Sequence, residues 1–511
     1  MQSNSWNVYA PATGEKIASM KETSVEEIGG LYRNSEQAFK EWSQLSVSER
    51  LVYFNNLRKV LLRRLEETTD VVSSSTGKVK LDALASDIMP VLDFLLYADK
   101  EAPSLLKRRS VTTPIFFFGK KSFIEYMPMG TVLVISPWNY PFQLSMVPIL
   151  SAIVSGNTVI VKPSEVTPYV GAWMEKLFKE ALFPEGVVQF AHGGKEIGSA
   201  LVERKPHYIF FTGSVATGKI IAQQAANKLI PVTLELGGKD PMIVCYDANL
   251  ERAAKAAVWG AFTNSGQVCM SVERLYVDER IYEPFLQAVK KEVSLLSQGI
   301  SKDDDIGSMT YSTQVEIVKK QIDEALEQGA VLQTGRQPSE WEEGNHFIQP
   351  MVLTNVTDEM KIVCEETFGP VLPIMTFKSE EEAIERANNS EYGLNASVWS
   401  NDVHKAEKLA SKLISGAVMI NDVIVSVANH HLPFGGAKQS GIGRYHGEQG
   451  LRMFCYEKAI MVDSGKKENE LQWYPYRGKY DDFKQLVSAY FAEHKKWLLF
   501  VKSYLKLMKR K

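Results

Sequence analysis

Cysteine is scarce in this chain, with four residues at 245, 269, 364 and 455 among 511. None belongs to a CxxC pair and none has a histidine at metal-ligand spacing, which argues against zinc and disulfide scaffolds. Long apolar runs are also missing: no stretch approaches the ~20 residues that a membrane-spanning helix needs. Charge of one sign does not dominate, because 58 Lys and Arg face 61 Asp and Glu for a net of −3. Nothing in that balance points to a nucleic-acid-binding protein. The first residues, Met1 to Asn7, show neither the basic nor the apolar segment of a secretion signal. Together with the few cysteines this leads to the expectation of a cytoplasmic protein, in which a single cysteine is of interest as a nucleophile.

What is present is globular material. Hydrophobic residues make up 45% and charged residues 23%, with 34 Gly and 21 Pro, enough for a large core and about three units at ~150 residues each. Residues 26–108 read as helical; from Leu51 to Leu62 apolar side chains recur at three-to-four spacing between charges. Ser110 to Met127 is β-branched and aromatic, is broken by Pro114 and Gly119, and predicts a hairpin. From Thr131 short apolar runs alternate with helical stretches, and 131–135, 158–161, 187–190 and 208–211 predict buried parallel strands. A second series has strands at 241–246 and 274–277 and helices over 249–266 and 280–297. Two α/β units follow, with a junction near 234–240 where glycines interrupt the pattern.

Four places carry residues suited to chemistry. The loop Phe211 to Lys219, with Gly213, Ser214 and Gly218, follows a strand and opens a helix, which suits a bound phosphate. It matches no standard fingerprint: Ile220 stands where a P-loop needs Ser or Thr, and no GxGxxG occurs. Alone, it is equally well read as a ligand-free turn. Cys269 closes Asn264-Ser265-Gly266-Gln267-Val268-Cys269, whose small polar residues leave its sulfur accessible, whereas Cys245 and Cys455 sit among apolar or aromatic residues as packing thiols. Glu235 lies between two leucines, where burial raises a carboxyl's pKa and suits it to general-base work; the competing reading is a salt-bridged glutamate at a domain seam. Asn139, in Pro137-Trp138-Asn139-Tyr140-Pro141, stands at the strand end where α/β sheets bind ligands. It can give an amide N–H to an oxyanion or merely form a turn.

The ordered set decides among these readings. Asn139, Lys162 in Val161-Lys162-Pro163-Ser164-Glu165, Gly213 and Gly218, Glu235 in Leu-Glu-Leu-Gly-Gly-Lys-Asp-Pro, Cys269 in Gly-Gln-Val-Cys, and Glu366 with Phe368 in Glu-Glu-Thr-Phe-Gly-Pro resemble the aldehyde dehydrogenase superfamily, over residues 7–460. Ile135 to Phe142 and Pro433 to Gly447 are similar to its class 3 or fatty-aldehyde branch, while Val8 to Glu15 is more like longer-armed classes. The resemblance implies an α/β fold with a Rossmann-type cofactor domain (1–108 and 130–237), an α/β catalytic domain (238–427) and a small β oligomerisation element (109–129 and 428–465), ahead of a tail at 466–511.

It also implies a reaction: NAD(P)-dependent oxidation of an aldehyde to the carboxylate. Cys269 attacks the aldehyde, Asn139 and the Cys269 backbone N–H hold the oxyanion, and Glu235 activates the water that hydrolyses the thioester. Lys162 and Glu165 would meet the adenosine ribose, Gly213 and Ser214 the pyrophosphate, Glu366 the nicotinamide ribose and Phe368 its ring. Ser136, Pro137, Trp138, Gly218 and Leu236 complete the implied cofactor site, and no metal is expected. A carboxylate at Glu165 accepts from a ribose 2′-OH and repels a 2′-phosphate, so NAD is expected to be preferred, with NADP possible. The family further implies a homodimer or homotetramer. A CoA-acylating enzyme would not need Glu235, a non-catalytic protein on this fold would not need Cys269, Glu235 and Asn139 together, and Ile220 disfavours an NTPase.

In the tail, Phe483, Leu486, Val487, Tyr490, Phe491, Trp497, Leu498, Val501, Leu505 and Met508 recur at three-to-four spacing, with lysines on another face, which predicts an amphipathic basic helix. From Lys484 onward eight Lys and Arg face only Glu493, a net of +7 that leaves −10 for the rest of the chain. Such a helix suits a peripheral membrane contact through 484–511, or equally a place on a partner subunit or over a substrate mouth. With the fatty-aldehyde resemblance it points to apolar medium-chain, long-chain or aromatic aldehydes.

Overall fold

A computed structural model describes residues 5–509. Met1 to Asn4, used above in reading the N-terminus, and Arg510 and Lys511 of the basic tail lie outside the described residues. Two compact units separate, one comprising the chain up to Lys107 with Tyr126–Tyr456, the other Arg108–Glu125 with the chain from Glu457 on.

In the larger unit the helical stretch becomes Val25–Trp42, Val47–Arg63, Leu65–Thr76 and Met89–Leu105, with a π-helical turn at Ala83–Ile88. The first two helices start at capping boxes, Ser24 with Glu27 and Ser46 with Glu49, which satisfy N-terminal N–H groups that have no partner within the helix. The apolar runs from Thr131 become Thr131–Ile135, Thr158–Lys162, Val188–Phe190 and Tyr208–Thr212, all parallel. Every residue of Thr131–Ile135 is buried, as a strand covered on both faces requires.

With Val232–Glu235 and the antiparallel edge strand Gly441–Ile442, these strands form a six-stranded sheet in the order 441–442, 232–235, 208–212, 131–135, 158–162, 188–190. From Thr131–Ile135 the chain winds outward through two strands and then returns to lay Tyr208–Thr212 on the other side. The carboxyl ends of these two neighbours therefore diverge at a topological switch point, the place where open α/β sheets bind ligands. A seven-stranded sheet follows in the order 331–332, 351–354, 371–377, 272–278, 240–244, 395–399, 417–420, parallel apart from its first strand. The helix predicted over 249–266 stops at Phe262, because Asn264, Ser265 and Gly266 all take positive φ.

The hairpin predicted over 110–127 is Arg109–Val111 against Lys121–Pro128, joined in a three-stranded sheet by Cys455–Val462, and the smaller unit takes these strands up to Glu125 and from Glu457. The later bridging segment is shorter than the expected 428–465. Residues up to Tyr456 belong to the larger unit, where Ser155 Oγ donates to Leu451 O and Asn157 Nδ2 donates to Phe454 O, both at 2.9 Å.

The tail is likewise not the single helix its periodicity predicts. It is a helical hairpin of Tyr480–Tyr490 and Trp497–Lys509. Apolar spacing reads through the turn because Leu486, Ala489, Phe500 and Leu507 from the two helices meet in one small core with Leu471. Among the described residues no helix is long and apolar enough to cross a membrane.

Candidate active site

Glu235 ends the strand beside the switch point, and Leu236-Gly237-Gly238 carries the chain on to the seven-stranded sheet. Two cavities share a wall here, made of Leu144, Thr212, Glu235, Leu236 and Cys269. One, of about 280 Å³, is lined by apolar and aromatic side chains that include Met89, Tyr140, Trp259, Val268, Met270, Ile424, Phe434 and Tyr445. The other, of about 300 Å³, opens at the switch point between Pro137, Trp138, Asn139, Gly213, Ser214, Gly237, Glu366 and Phe368.

The loop before Cys269 is built on backbone that few residues adopt. Asn264, Ser265 and Gly266 take φ of 51°, 55° and 72°, and a Cβ on Gly266 would collide with the carbonyl oxygen of Gly369. Asn264 Nδ2 donates to the carbonyls of Asn139 and Gln267, each at 3.2 Å, Asn139 Nδ2 donates to Gln267 O at 3.0 Å, and Gln267 Oε1 accepts from Thr310 N at 2.9 Å. These bonds fix the loop that ends in the sulfur against the Asn139 turn. Burial, reinforced by the carboxyls of Glu366, Asp240 and Glu235, pushes the Cys269 thiol above its ordinary range.

Glu235 is 4% exposed, and neither carboxyl oxygen has a hydrogen-bond partner among the described residues. The salt-bridged reading of this residue therefore fails. Burial pushes its carboxyl well above the usual carboxylate range, opposed only by the charge of Arg444. A buried carboxyl without a partner rests protonated, and once ionised it is a strong base.

Two hydrogen bonds hold Glu366, and a glycine leaves room for its carboxyl. Its Oε1 accepts from Gly238 N at 3.0 Å, Gln321 Nε2 donates to its backbone oxygen at 3.2 Å, and a Cβ on Gly237 would stand 2.5 Å from Oε2. Burial, with Glu273 nearby, pushes its carboxyl up to about 8. Glu273 in turn accepts from Thr367 N at 2.8 Å and Phe368 N at 3.0 Å and pairs with buried Lys239 at 2.6 Å, which holds Phe368 at φ 55°. Trp138 stands edge-on to both Phe368 and Tyr311, with ring centres at 5.4 and 5.1 Å.

A cysteine and a carboxyl without a hydrogen-bond partner among the described residues thus lie between an apolar cavity and one at a switch point, and a family model for the aldehyde dehydrogenase family matches residues 1–460. The chain belongs to the aldehyde dehydrogenase family. Over 459 residues this aldehyde dehydrogenase is 45% identical to a 4,4'-diapolycopene aldehyde oxidase from Methylomonas sp, covering 88% of this chain and 85% of the relative. It is 34% identical to the 4,4'-diaponeurosporen-aldehyde dehydrogenase of Staphylococcus aureus, over 90% of this chain and 98% of that one. The structure of an aldehyde dehydrogenase from Bacillus cereus in complex with NAD+ superposes with a TM-score of 0.86 at 34% identity, covering 90% of this chain and 94% of that chain. The enzyme is an oxidoreductase that oxidises aldehydes with NAD(P).

Of the residues the sequence singled out, Cys269, Glu235, Asn139, Pro137, Trp138, Gly213, Ser214, Leu236, Glu366 and Phe368 line one cavity or both. Ser136, Lys162, Glu165 and Gly218 line neither. Lys162, at its strand's carboxyl end, donates to Glu165 Oε2 at 2.5 Å. Gly218 lies inside Val215–Ala226, where a Cβ would stand 2.5 Å from Leu236 Cδ2, so its lack of a side chain allows close packing against Leu236. The residues at the switch-point cavity fit NAD(P): Gly213 and Ser214 stand at the N-terminus of Val215–Ala226, which suits a pyrophosphate, and Gly237 leaves the Glu366 carboxyl clear.

Sequence reasoning missed Lys78, Asp87 and Glu273. Lys78 and Asp87 lie in the helical stretch and Glu273 in an apolar strand, and each acts on residues far away in the chain. The glycine before Lys78, at φ 81°, was the one local signal.

Proposed function

We propose that this aldehyde dehydrogenase oxidises extended, uncharged apolar aldehydes, polyene aldehydes among them, to carboxylates. The observation that carries this reading is the lining of the 280 Å³ cavity, which includes no Lys, Arg, His or Asp and has Glu235 as its one acidic side chain. A second carboxylate on the substrate would find no cation there and would face Glu235. That disfavours a substrate such as succinate semialdehyde, the compound for which a Mycolicibacterium smegmatis relative, 35% identical, is named. The two carotenoid-aldehyde relatives support the apolar alternative.

In this reading the Cys269 thiolate adds to the aldehyde carbon, and the oxyanion takes hydrogen bonds from the Cys269 backbone N–H and the N–H of Asn139 not used by Gln267. NAD(P), when bound, supplies the acceptor for the hydride that leaves this carbon. The thioester left on Cys269 is hydrolysed by a water whose proton goes to Glu235, releasing the carboxylate and the thiol. Gly213, Ser214 and the N-terminus of Val215–Ala226 would bind the pyrophosphate, and Glu366 the nicotinamide ribose. Glu165 favours NAD, but its ion pair with Lys162 offsets part of its repulsion of a 2′-phosphate, so NADP is also accepted. The protein acts as a homodimer or homotetramer, as the sequence resemblance implies.

The test is kcat/KM, read by NAD(P)H formation, across saturated and polyene aldehydes of increasing length and succinate semialdehyde, with and without CoA. The expected result is a rise with apolar length and no effect of CoA. Preference for succinate semialdehyde, or acyl-CoA as product, overturns it.

A further inference from the structure

The family match ends at residue 460, and the reaction proposed above assigns no role to the helical hairpin beyond it. Its inner face is accounted for by its own small core and by Lys506 Nζ to Asp482 Oδ1 at 2.6 Å and Ser503 Oγ to Gln485 Oε1 at 3.1 Å, which tie the two helices together. Its outer face is a different matter.

On Trp497–Lys509 the buried residues Phe500, Ser503 and Leu507 mark one side. Leu498, Val501 and Leu505, at i, i+3 and i+7, form a stripe on the opposite side and are 91%, 49% and 53% exposed. Lys502 and Lys509, both exposed, fall alongside this stripe by helical spacing. At the turn between the helices Phe491 is 70% exposed and Trp497 is exposed as well. There Lys495 Nζ lies 4.6 Å from the Tyr490 ring centre, and Lys496 is also exposed. Single exposed apolar residues are ordinary; three in helical register beside lysines, with aromatics at one end, make an interfacial face.

We propose that this outer face docks on the surface of an anionic lipid bilayer, with the Leu498–Val501–Leu505 stripe and the Phe491 and Trp497 rings among the headgroups and the lysines against lipid phosphates. Charge chooses this occupant. The chain from Lys484 carries +7 and the remainder −10, so an anionic surface attracts this end and not the rest. A second copy on the same face would bring like charges together, which is unfavourable. The helix is 13 residues long and lies on the bilayer without spanning it.

The test is flotation of the full-length enzyme with vesicles of phosphatidylcholine alone or mixed with phosphatidylglycerol, in the absence of aldehyde, so that its outcome is independent of the substrate reading. The enzyme is expected to float with the mixed vesicles only, and less as salt rises, because screening shortens the Debye length to ~8 Å at physiological ionic strength. Leu498→Ser/Val501→Ser/Leu505→Ser is expected to lower partitioning about tenfold or more while leaving turnover of a small water-soluble aldehyde unchanged, and Lys495→Gln/Lys496→Gln/Lys502→Gln to remove the salt dependence. Three results overturn the proposal: no flotation of the wild type, equal flotation of the triple serine variant, or a wild-type oligomer that the serine variant splits while neither binds vesicles.

Discussion

Lys78 Nζ and the Asp87 carboxylate meet at 2.6 Å with neither side chain exposed. The pair clamps the turn that carries Asn139: Lys78 also donates to Asn139 O at 2.7 Å, and Asp87 Oδ1 accepts from Phe142 N and Gln143 N, both at 3.1 Å. Removing one partner leaves a buried charge alone, which costs about 3–5 kcal/mol. Lys78→Met and Asp87→Asn are each expected to lower stability by that order. The double variant, which has no unpaired charge, is expected to melt above either single one. All three should lose kcat more than they raise KM, because the amide donor is displaced. Thermal melts with steady-state kinetics check this, and a double variant no more stable than the singles counts against the clamp.

Cys269→Ala is expected to lower kcat by about 10³-fold or more, since no other group replaces a covalent nucleophile. Glu235→Gln should behave differently. The first turnover survives as a burst of NADH, and intact-mass spectrometry should then find the acyl group on the protein. A Glu235→Gln enzyme with steady turnover and no accumulated acyl-enzyme would remove this residue from the hydrolytic step.

The pH dependence has a definite sign. Burial raises both the Cys269 thiol and the Glu235 carboxyl, while the proposed reaction uses each in its deprotonated form, so burial moves the alkaline rise in activity to higher pH. Activity with saturating cofactor is therefore expected to climb from neutral into alkaline pH. In Glu235→Gln the part of the rise that belongs to deacylation should disappear. A wild-type profile that is flat or falls above neutrality contradicts this assignment.

Gly266 and Gly14 have nearly the same φ, +72° and +71°, but a Cβ on Gly266 meets Gly369 O whereas one on Gly14 meets nothing within 4 Å. Gly14→Ala is expected to cost about 1–2 kcal/mol, the left-handed penalty alone. Gly266→Ala adds a backbone collision and is expected to cost about 3 kcal/mol or more, with loss of activity because the Cys269 loop moves. Melting temperatures of the two variants give the comparison directly.

Glu165→Ala releases Lys162 from its 2.5 Å ion pair and removes the carboxylate that disfavours a 2′-phosphate. The ratio of kcat/KM for NADP to that for NAD is expected to rise about tenfold. An unchanged ratio would place the choice of cofactor elsewhere.

The strands around the site were legible because both faces of each are covered, so Thr131–Ile135 and Tyr208–Thr212 read as unbroken apolar runs ending in a turn. The tail was misread for a related reason. Periodicity reports which side of a helix is buried, not whether the helix folds back, and Leu486 and Phe500 keep the same spacing because they face each other across a turn. The packing of Gly218 was not legible, because a glycine at a helix start serves close packing as well as phosphate binding, and the Leu236 side chain beside it comes from a distant part of the chain.

The sequence by itself determined the order of the motifs and singled out Cys269 and Glu235 as the residues to propose as nucleophile and base, because each choice depends on residue type and near neighbours: a cysteine after Gly-Gln-Val, a glutamate between leucines, a glycine turn after a strand. It also determined the charge division between an acidic body and a basic end. Only the tertiary structure decided that, among the described residues, Glu235 has no hydrogen-bond partner and the apolar cavity is lined by no cation, that Lys78 and Asp87 hold the Asn139 turn in place, and that Leu498, Val501 and Leu505 are exposed. Each of these is a contact, or the lack of one, between residues far apart in the chain, and what surrounds a side chain in space is fixed only once the distant segments have packed.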